Sequence, residues 1–203
     1  MLARHFGLAV ILASLAALSL TGCTAGGLAV GGAAAAGVAT VQERTLGRAI
    51  DDKALEIQIN HRLLQADEVL FRKISVEALE GRVLLLGAVP KPDDRIEASR
   101  LAWETPGVRE VMNEVQVTDR SGIVNYFKDA KITTELRLLI LRDRDIRDIN
   151  YSIETVNGIV YLLGIAQDKA ELDKLTRHAR NIAGVEKVIS HVRLRSDKRR
   201  RAS

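Results

Sequence analysis

The amino-acid sequence predicts an α+β protein made of two tandem modules, each running helix, strand, strand, helix, strand, with a three-stranded mixed sheet and both helices on one face. Three observations predict it. A gapless internal repeat, offset by 77 residues, sets Glu80-Gly81-Arg82-Val83-Leu84-Leu85-Leu86-Gly87 against Asn157-Gly158-Ile159-Val160-Tyr161-Leu162-Leu163-Gly164. Within each copy the apolar residues pass from a spacing of four to alternation, the change of period that separates helix from strand. Glu80-Gly81 and Asn157-Gly158 stand between the runs that read as strands, where glycine supports a tight hairpin turn.

The first helix of each copy carries apolar residues at i, i+4 and i+8: Leu55, Ile59 and Leu63 in one, Ile132, Leu136 and Ile140 in the other. They form one core-facing stripe. Alternating Ile74 and Val76, or Tyr151 and Ile153, predict the next strand, and a more continuously apolar strand follows the turn. Asp93 and Asp168 suit N-caps of the second helices, which carry Ile96 and Leu101, or Leu172, Leu175 and Ala179, and end at Gly107 and Gly184. The last strands hold Val111, Val115 and Val117, or Val188, Val192 and Leu194. A right-handed crossover after a hairpin lays that strand parallel to its neighbour, so the sheet is mixed. The same offset aligns Asp52 with Asp129, Ser75 with Ser152 and Glu77 with Glu154. The modules are placed at 50–118 and 127–195, with a linker at 119–126 and a basic tail at 196–203. A module of about 65 residues is marginal by itself, so docking of the two copies is expected.

The paired Gly-Xaa-Val-Xaa-Leu-Leu-Gly hairpins, each followed by a helix and a Gly-Val-Xaa-Xaa-Val strand at Gly107 and Gly184, resemble the BON domain. The resemblance covers nearly all of the chain beyond its N-terminal segment. It implies phospholipid binding and upkeep of the outer-membrane barrier without enzyme activity, with lipid binding associated with the first helix of the second domain.

Before the modules, an opening with Arg4 and His5 leads into an apolar run from Leu8 to Leu20, too short to span a bilayer comfortably but suited to a secretory signal. Leu20-Thr21-Gly22-Cys23 follows and resembles the bacterial lipobox. Residues 1–22 are read as the signal peptide, Cys23 as the acylated first residue of the mature chain, and 23–49 as a lipidated start and Gly/Ala-rich tether. A signal cut elsewhere, or an anchor left uncut, are the competing readings. Thr24 in place of the inner-membrane retention aspartate familiar from enteric bacteria favours the outer membrane, facing the periplasm. Cys23 is the one cysteine, so no intramolecular disulfide forms and stability must come from packing.

Residues 1–22 hold one arginine and no acid, leaving 29 basic against 26 acidic side chains. That balance does not suit a nucleic-acid partner, which calls for basic clusters on one face. The basic run from Arg193 to Arg201 reads as a solvated tail or as a contact with anionic lipid. His61, His178 and His191 share no metal-ligand spacing, and no nucleophile elbow or phosphate loop is present. The sequence therefore suggests no catalytic residue, metal or cofactor. Oligomeric state is left open.

At 100° per residue, Phe127, Lys131, Thr134, Leu138, Leu141 and Arg142 fall on a stripe of their own, away from Ile132, Leu136 and Ile140. The matching first-copy residues, Ile50, Ala54, Ile57, His61, Leu64 and Gln65, lack the aromatic and the cations. A second apolar face edged by cations suits the headgroup boundary of a membrane. Phe127, Lys131, Leu138, Leu141 and Arg142 are the candidate contact with anionic phospholipid. Packing of Leu138 and Leu141 against the first module is the other reading. At the level of function, an envelope protein partner, in an assembly or a secretion complex, is the alternative to lipid. Trp103, whose counterpart is Arg180, is assigned to the seam between modules, a membrane interface or ordinary half-burial.

Overall fold

In the computed structural model, residues 46–118 and 123–200 are described. The expected signal, Cys23 and the tether as far as residue 45 lie outside them; residues 46–49 of the expected tether and 123–126 of the expected linker are instead helical, each adding a turn to the start of its module's first helix. The described residues all belong to the compact unit Gln42–Ser203.

In the first module, α1 (Leu46–Ala66) presents Leu55, Ile59 and Leu63 to the core, and a short α2 (Glu68–Lys73), capped by the Asp67 carboxylate, adds Leu70. Strands β1 (Ile74–Leu79) and β2 (Arg82–Val89) pair antiparallel through the two-residue turn Glu80-Gly81. Both turn residues have positive φ, 54° and 73°, as in a type I′ hairpin turn. Helix α3 (Pro92–Trp103) crosses back, and β3 (Glu110–Asn113) and β4 (Gln116–Val117) run parallel to β2. The second module repeats the order with α4 (Ile123–Arg142), a 3-10 turn at Asp148–Asn150, β5 (Tyr151–Val156), β6 (Ile159–Ala166), α5 (Lys169–Arg180) and β7 (Lys187–Leu194). Its sheet order is β5-β6-β7, antiparallel then parallel.

The expected fold class holds, with three differences in detail. The last strand of the first module is broken at Glu114-Val115 into β3 and β4, where the Asn113 carboxamide accepts from the Val115 backbone N–H at 3.1 Å and bends the chain. Asp93 is not an N-cap: Lys91 holds that position and Pro92 opens the helix, leaving Asp93 in the first turn, where its charge favours the helix N-terminus. Asp168 does cap α5, accepting from Glu171 N–H at 2.9 Å. The third difference is α2, which takes the place occupied in the second copy by a loop and a 3-10 turn.

Two hydrophobic clusters lie between the helices and their own sheet, one built on Leu55, Ile59, Leu63, Val83 and Leu85, the other on Ile132, Leu136, Ile140, Val160 and Leu162. A third lies between the modules, where Leu79, Leu84, Leu86 and Met112 pack on Tyr161, Leu163 and Ile165. Alternate residues of β2 and β6 therefore face the helices and the other sheet. Burial on both sides is why these two strands are continuously apolar. The sheets pack face to face with the helices outside.

Candidate functional site

The outer surface of α4 is built by what its inner surface does not need. Ile132, Leu136 and Ile140 are buried and complete the core, while Phe127, Leu138 and Leu141 remain 65%, 47% and 67% exposed. Leu138 and Leu141 thus do not pack against the first module. Tyr126 joins Phe127 in an edge-to-face pair with ring centroids 5.9 Å apart. Lys131 and Arg142 are exposed on the same stripe, and neither has an acidic partner among the described residues.

The acids that follow α4 are turned elsewhere. Asp143 accepts from Lys174 Nζ at 2.7 Å and meets His178 Nε2 at 2.8 Å, and Asp145 also accepts from Lys174 at 2.7 Å. The hydrogen bond from Lys174, reinforced by His178, holds the Asp143 carboxyl down at about 2. Clamping these carboxylates to α5 leaves Arg142 and Arg144 outward at the α4 C-terminus, where cations are favoured.

The matching stripe of α1 is also apolar and open: Ile50, Ile57 and Leu64 are 66%, 68% and 45% exposed. That stripe carries no lysine or arginine, and two cations elsewhere on α1 face acids. Arg48 lies 3.5 Å from Glu80, and Lys53 pairs with Glu56 one turn on. Ile57, Leu64 and Phe71 line a groove of about 750 Å³ whose far wall includes Tyr126. A second groove of about 520 Å³, reaching Thr133, Thr134 and Arg137 of α4, shares Arg72, Lys73, Tyr126, Glu154, Thr155 and Val156 with the first. Trp103 is 54% exposed on the outside of α3, with Ile96 exposed one side of it, so it is not part of the seam.

Several working residues escaped the sequence reading. The Asp52 carboxylate accepts from the N–H groups of Glu80 and Gly81 at 2.9 and 3.0 Å, and Asp129 accepts from Asn157 and Gly158 at 2.7 and 2.8 Å. Each thus ties its first helix to its hairpin turn. Their alignment in the repeat was the available signal. The basic C-terminal run is not wholly a solvated tail: Arg193 donates to Glu110 at 2.7 Å, and Arg200, 11% exposed at its side chain, donates twice to Glu80 at 3.0 Å. Arg82, whose guanidinium is buried, shares Glu110 and also donates to the His191 carbonyl at 3.1 Å. Burial lowers its pKa. The Arg193–Glu110, Arg200–Glu80 and Arg82–His191 contacts cross the seam, as does the Ser152 hydroxyl donating to Glu77.

Among the described residues no group of His, Asp and Glu is arranged to hold a metal ion, and no helix is long and apolar enough to cross a membrane.

Against known proteins, the family model described as BON domain matches residues 51–119 and 128–196. The "Uncharacterized protein in gshII 5'region" of Anaplasma centrale is 42% identical over 153 residues, 75% of this chain and 100% of that protein. The outer membrane lipoprotein DolP of Haemophilus influenzae is 34% identical over 176 residues, 86% of this chain and 89% of its own. The 21 kDa hemolysin of Actinobacillus pleuropneumoniae is 31% identical over 150 residues, 73% of this chain and 77% of its own.

Proposed function

The chain belongs to the BON domain family, and from that premise we propose that it is an outer-membrane lipoprotein facing the periplasm, whose second module binds anionic phospholipid and supports envelope integrity. The observation that carries the reading is the outer face of α4: Phe127, Leu138 and Leu141 stay exposed beside Lys131 and Arg142, two cations without acidic partners among the described residues. Such a face can seat its apolar side chains at the acyl boundary while the cations meet lipid phosphates. The similarity to the Haemophilus influenzae protein, an outer membrane lipoprotein by name, supports the location. Acylated Cys23 supplies one anchor and the α4 face a second. Two weak attachments on one chain reinforce each other through effective concentration.

The test is flotation of the compact unit, residues 42–203, with phosphatidylglycerol vesicles. Lys131→Glu combined with Arg142→Glu should weaken binding by about tenfold or more, since each cation near an anionic surface contributes about 1 kcal/mol. High salt should imitate the loss. Unchanged binding overturns the assignment to α4. A second reading, docking on an envelope protein complex, is favoured by the exposed pair Ile96 and Trp103 on α3. Retention by a partner that needs Trp103, with vesicle binding absent, would establish that reading instead.

A further inference from the structure

The two grooves between the modules share six residues and so form one continuous channel, bounded by α1 and α2 on one side and α4 on the other. Its ends differ in chemistry. At one end stand the exposed side chains of Ile57, Leu64 and Phe71, with Leu86 beside them. At the other stand Asn125, Thr133, Thr134 and Arg137. Between the ends lie Arg72 and Lys73.

Cations outnumber carboxylates along this channel, Arg72, Lys73 and Arg137 against Asp129 and Glu154. Lys73 has no acidic partner among the described residues, and Arg72 meets only Glu68, at 3.7 Å between two largely exposed side chains. Such a surface pair holds its members weakly. The two carboxylates in the wall are already engaged: Glu154 with Arg137 at 3.2 Å, and Asp129 with the hairpin turn. An apolar trough that passes into unmatched cations complements a molecule with a hydrocarbon chain and one anionic group. The grooves, of about 750 and 520 Å³ and open to solvent along their length, have room for an acyl chain and a headgroup. The channel also opens on the proposed membrane face, since Tyr126 precedes Phe127 and Thr134 belongs both to the channel wall and to the exposed stripe of α4.

Resting on the lipid-binding reading above, we propose that this channel takes up a single anionic phospholipid molecule, one acyl chain lying along Ile57, Leu64 and Phe71 and the phosphate meeting Lys73 and Arg72. The α4 face attaches the protein to the bilayer, and the channel holds one lipid drawn from it. The first module thereby becomes a participant in lipid recognition.

The probe is dihexanoyl phosphatidylglycerol kept below its micelle concentration, titrated against residues 42–203 and read by calorimetry and by amide chemical shifts. Saturable one-to-one binding is expected, with the largest shifts along Ile57, Leu64, Phe71 and Tyr126. Leu64→Gln and Lys73→Gln, both at sites where a polar side chain is solvated and the fold is not at stake, should each weaken it by about fivefold. Lys131→Glu with Arg142→Glu should leave this affinity unchanged while lowering vesicle binding, which separates the two readings. Glycerol 3-phosphate should bind far more weakly. Equal binding of glycerol 3-phosphate would mean a free-phosphate site and overturn the proposal. So would affinity unaltered in both channel variants, absence of monomeric binding by a protein that still binds vesicles, or displacement of the lipid signal to α3.

Discussion

Helices α1 and α4 hold the same place in two copies of one module and bury the same three positions, yet their outer faces are used differently. Leu55, Ile59 and Leu63 match Ile132, Leu136 and Ile140 in burial, and Asp52 matches Asp129 in tying the helix to its turn. Outside, α1 has Ala54 and Gln65 where α4 sets the exposed cations Lys131 and Arg142, unmatched among the described residues. The repeat is constrained where the core and turn demand it and free to diverge where water lies. Function is therefore to be sought in the positions at which the copies disagree.

The shared half of the comparison is broken most severely in the core. Leu136→Ala and Ile59→Ala remove side chains with no exposed surface, and each should cost about 2–5 kcal/mol by chemical denaturation. A large difference between them would mean that the copies do not fold as equivalents. A smaller effect is expected at the turn ties. Asp52→Ala strands two buried N–H groups and should cost about 1–3 kcal/mol, with Asp129→Ala nearer the low end because Asp129 is only half-buried. The reverse order would show that Asn157, suited to positive φ, does not relieve the second turn.

Smaller again is a proton effect at the seam. Burial raises the pKa of Glu77, opposed by the Ser152 hydroxyl and added to by Glu56; burial and then Glu77 itself raise that of Glu154, opposed by Arg137. Between the unfolded carboxyl value near 4.3 and the raised folded values, the folded state binds more protons, so stability should fall as pH rises through that window. Glu77→Gln should flatten the slope measured by thermal melting. Asp143 has the opposite sign: its depressed carboxyl stabilises above the unfolded value near 3.9 and loses that contribution as pH falls to about 2. A slope left intact by Glu77→Gln would place its source elsewhere.

The smallest effect on stability sharpens the difference between the helices. Ala54→Glu with Gln65→Glu in α1, at positions matching Lys131 and Arg142, should change vesicle binding little, as should the stability of either double variant, within about 0.5 kcal/mol. His61, which also lies on the α1 stripe, lines the channel and is unsuitable for that comparison. Equal loss of vesicle binding from both helices would spread the membrane contact over both modules.

Much of this was legible in the sequence, for reasons that differ by residue. Gly81 and Gly158 were readable as turn residues because few others take their φ of 73° and 77° cheaply. The continuous apolar runs of β2 and β6 hinted at burial on two sides, and the third cluster is that burial. The α2 helix was missed because it has no counterpart in the second copy, so the repeat said nothing about it. Seam pairs such as Glu110 with Arg193, 83 positions apart, have no local pattern, and a basic run near the end of a chain looks like a tail whether or not it is held. The open stripe of α1 was read as a plain counterpart to α4, since nothing in linear spacing reveals that α2 and α4 wall a channel beside it.

At the seam, residues at equivalent positions meet each other: Glu77 bears on Glu154, and Glu114 contacts His191 at 3.0 Å, 77 positions apart. Such self-meeting pairs mark an approximate two-fold axis, on which identical copies would have to oppose each residue to itself. Two first modules brought together this way would set Glu77 against Glu77 and Glu114 against Glu114; two second modules would set Glu154 against Glu154 and His191 against His191. Only a first and a second module place acid opposite histidine. Joining the copies in one chain let the axis become unlike on its two sides, so that an acid can face a histidine where two identical modules would oppose like to like.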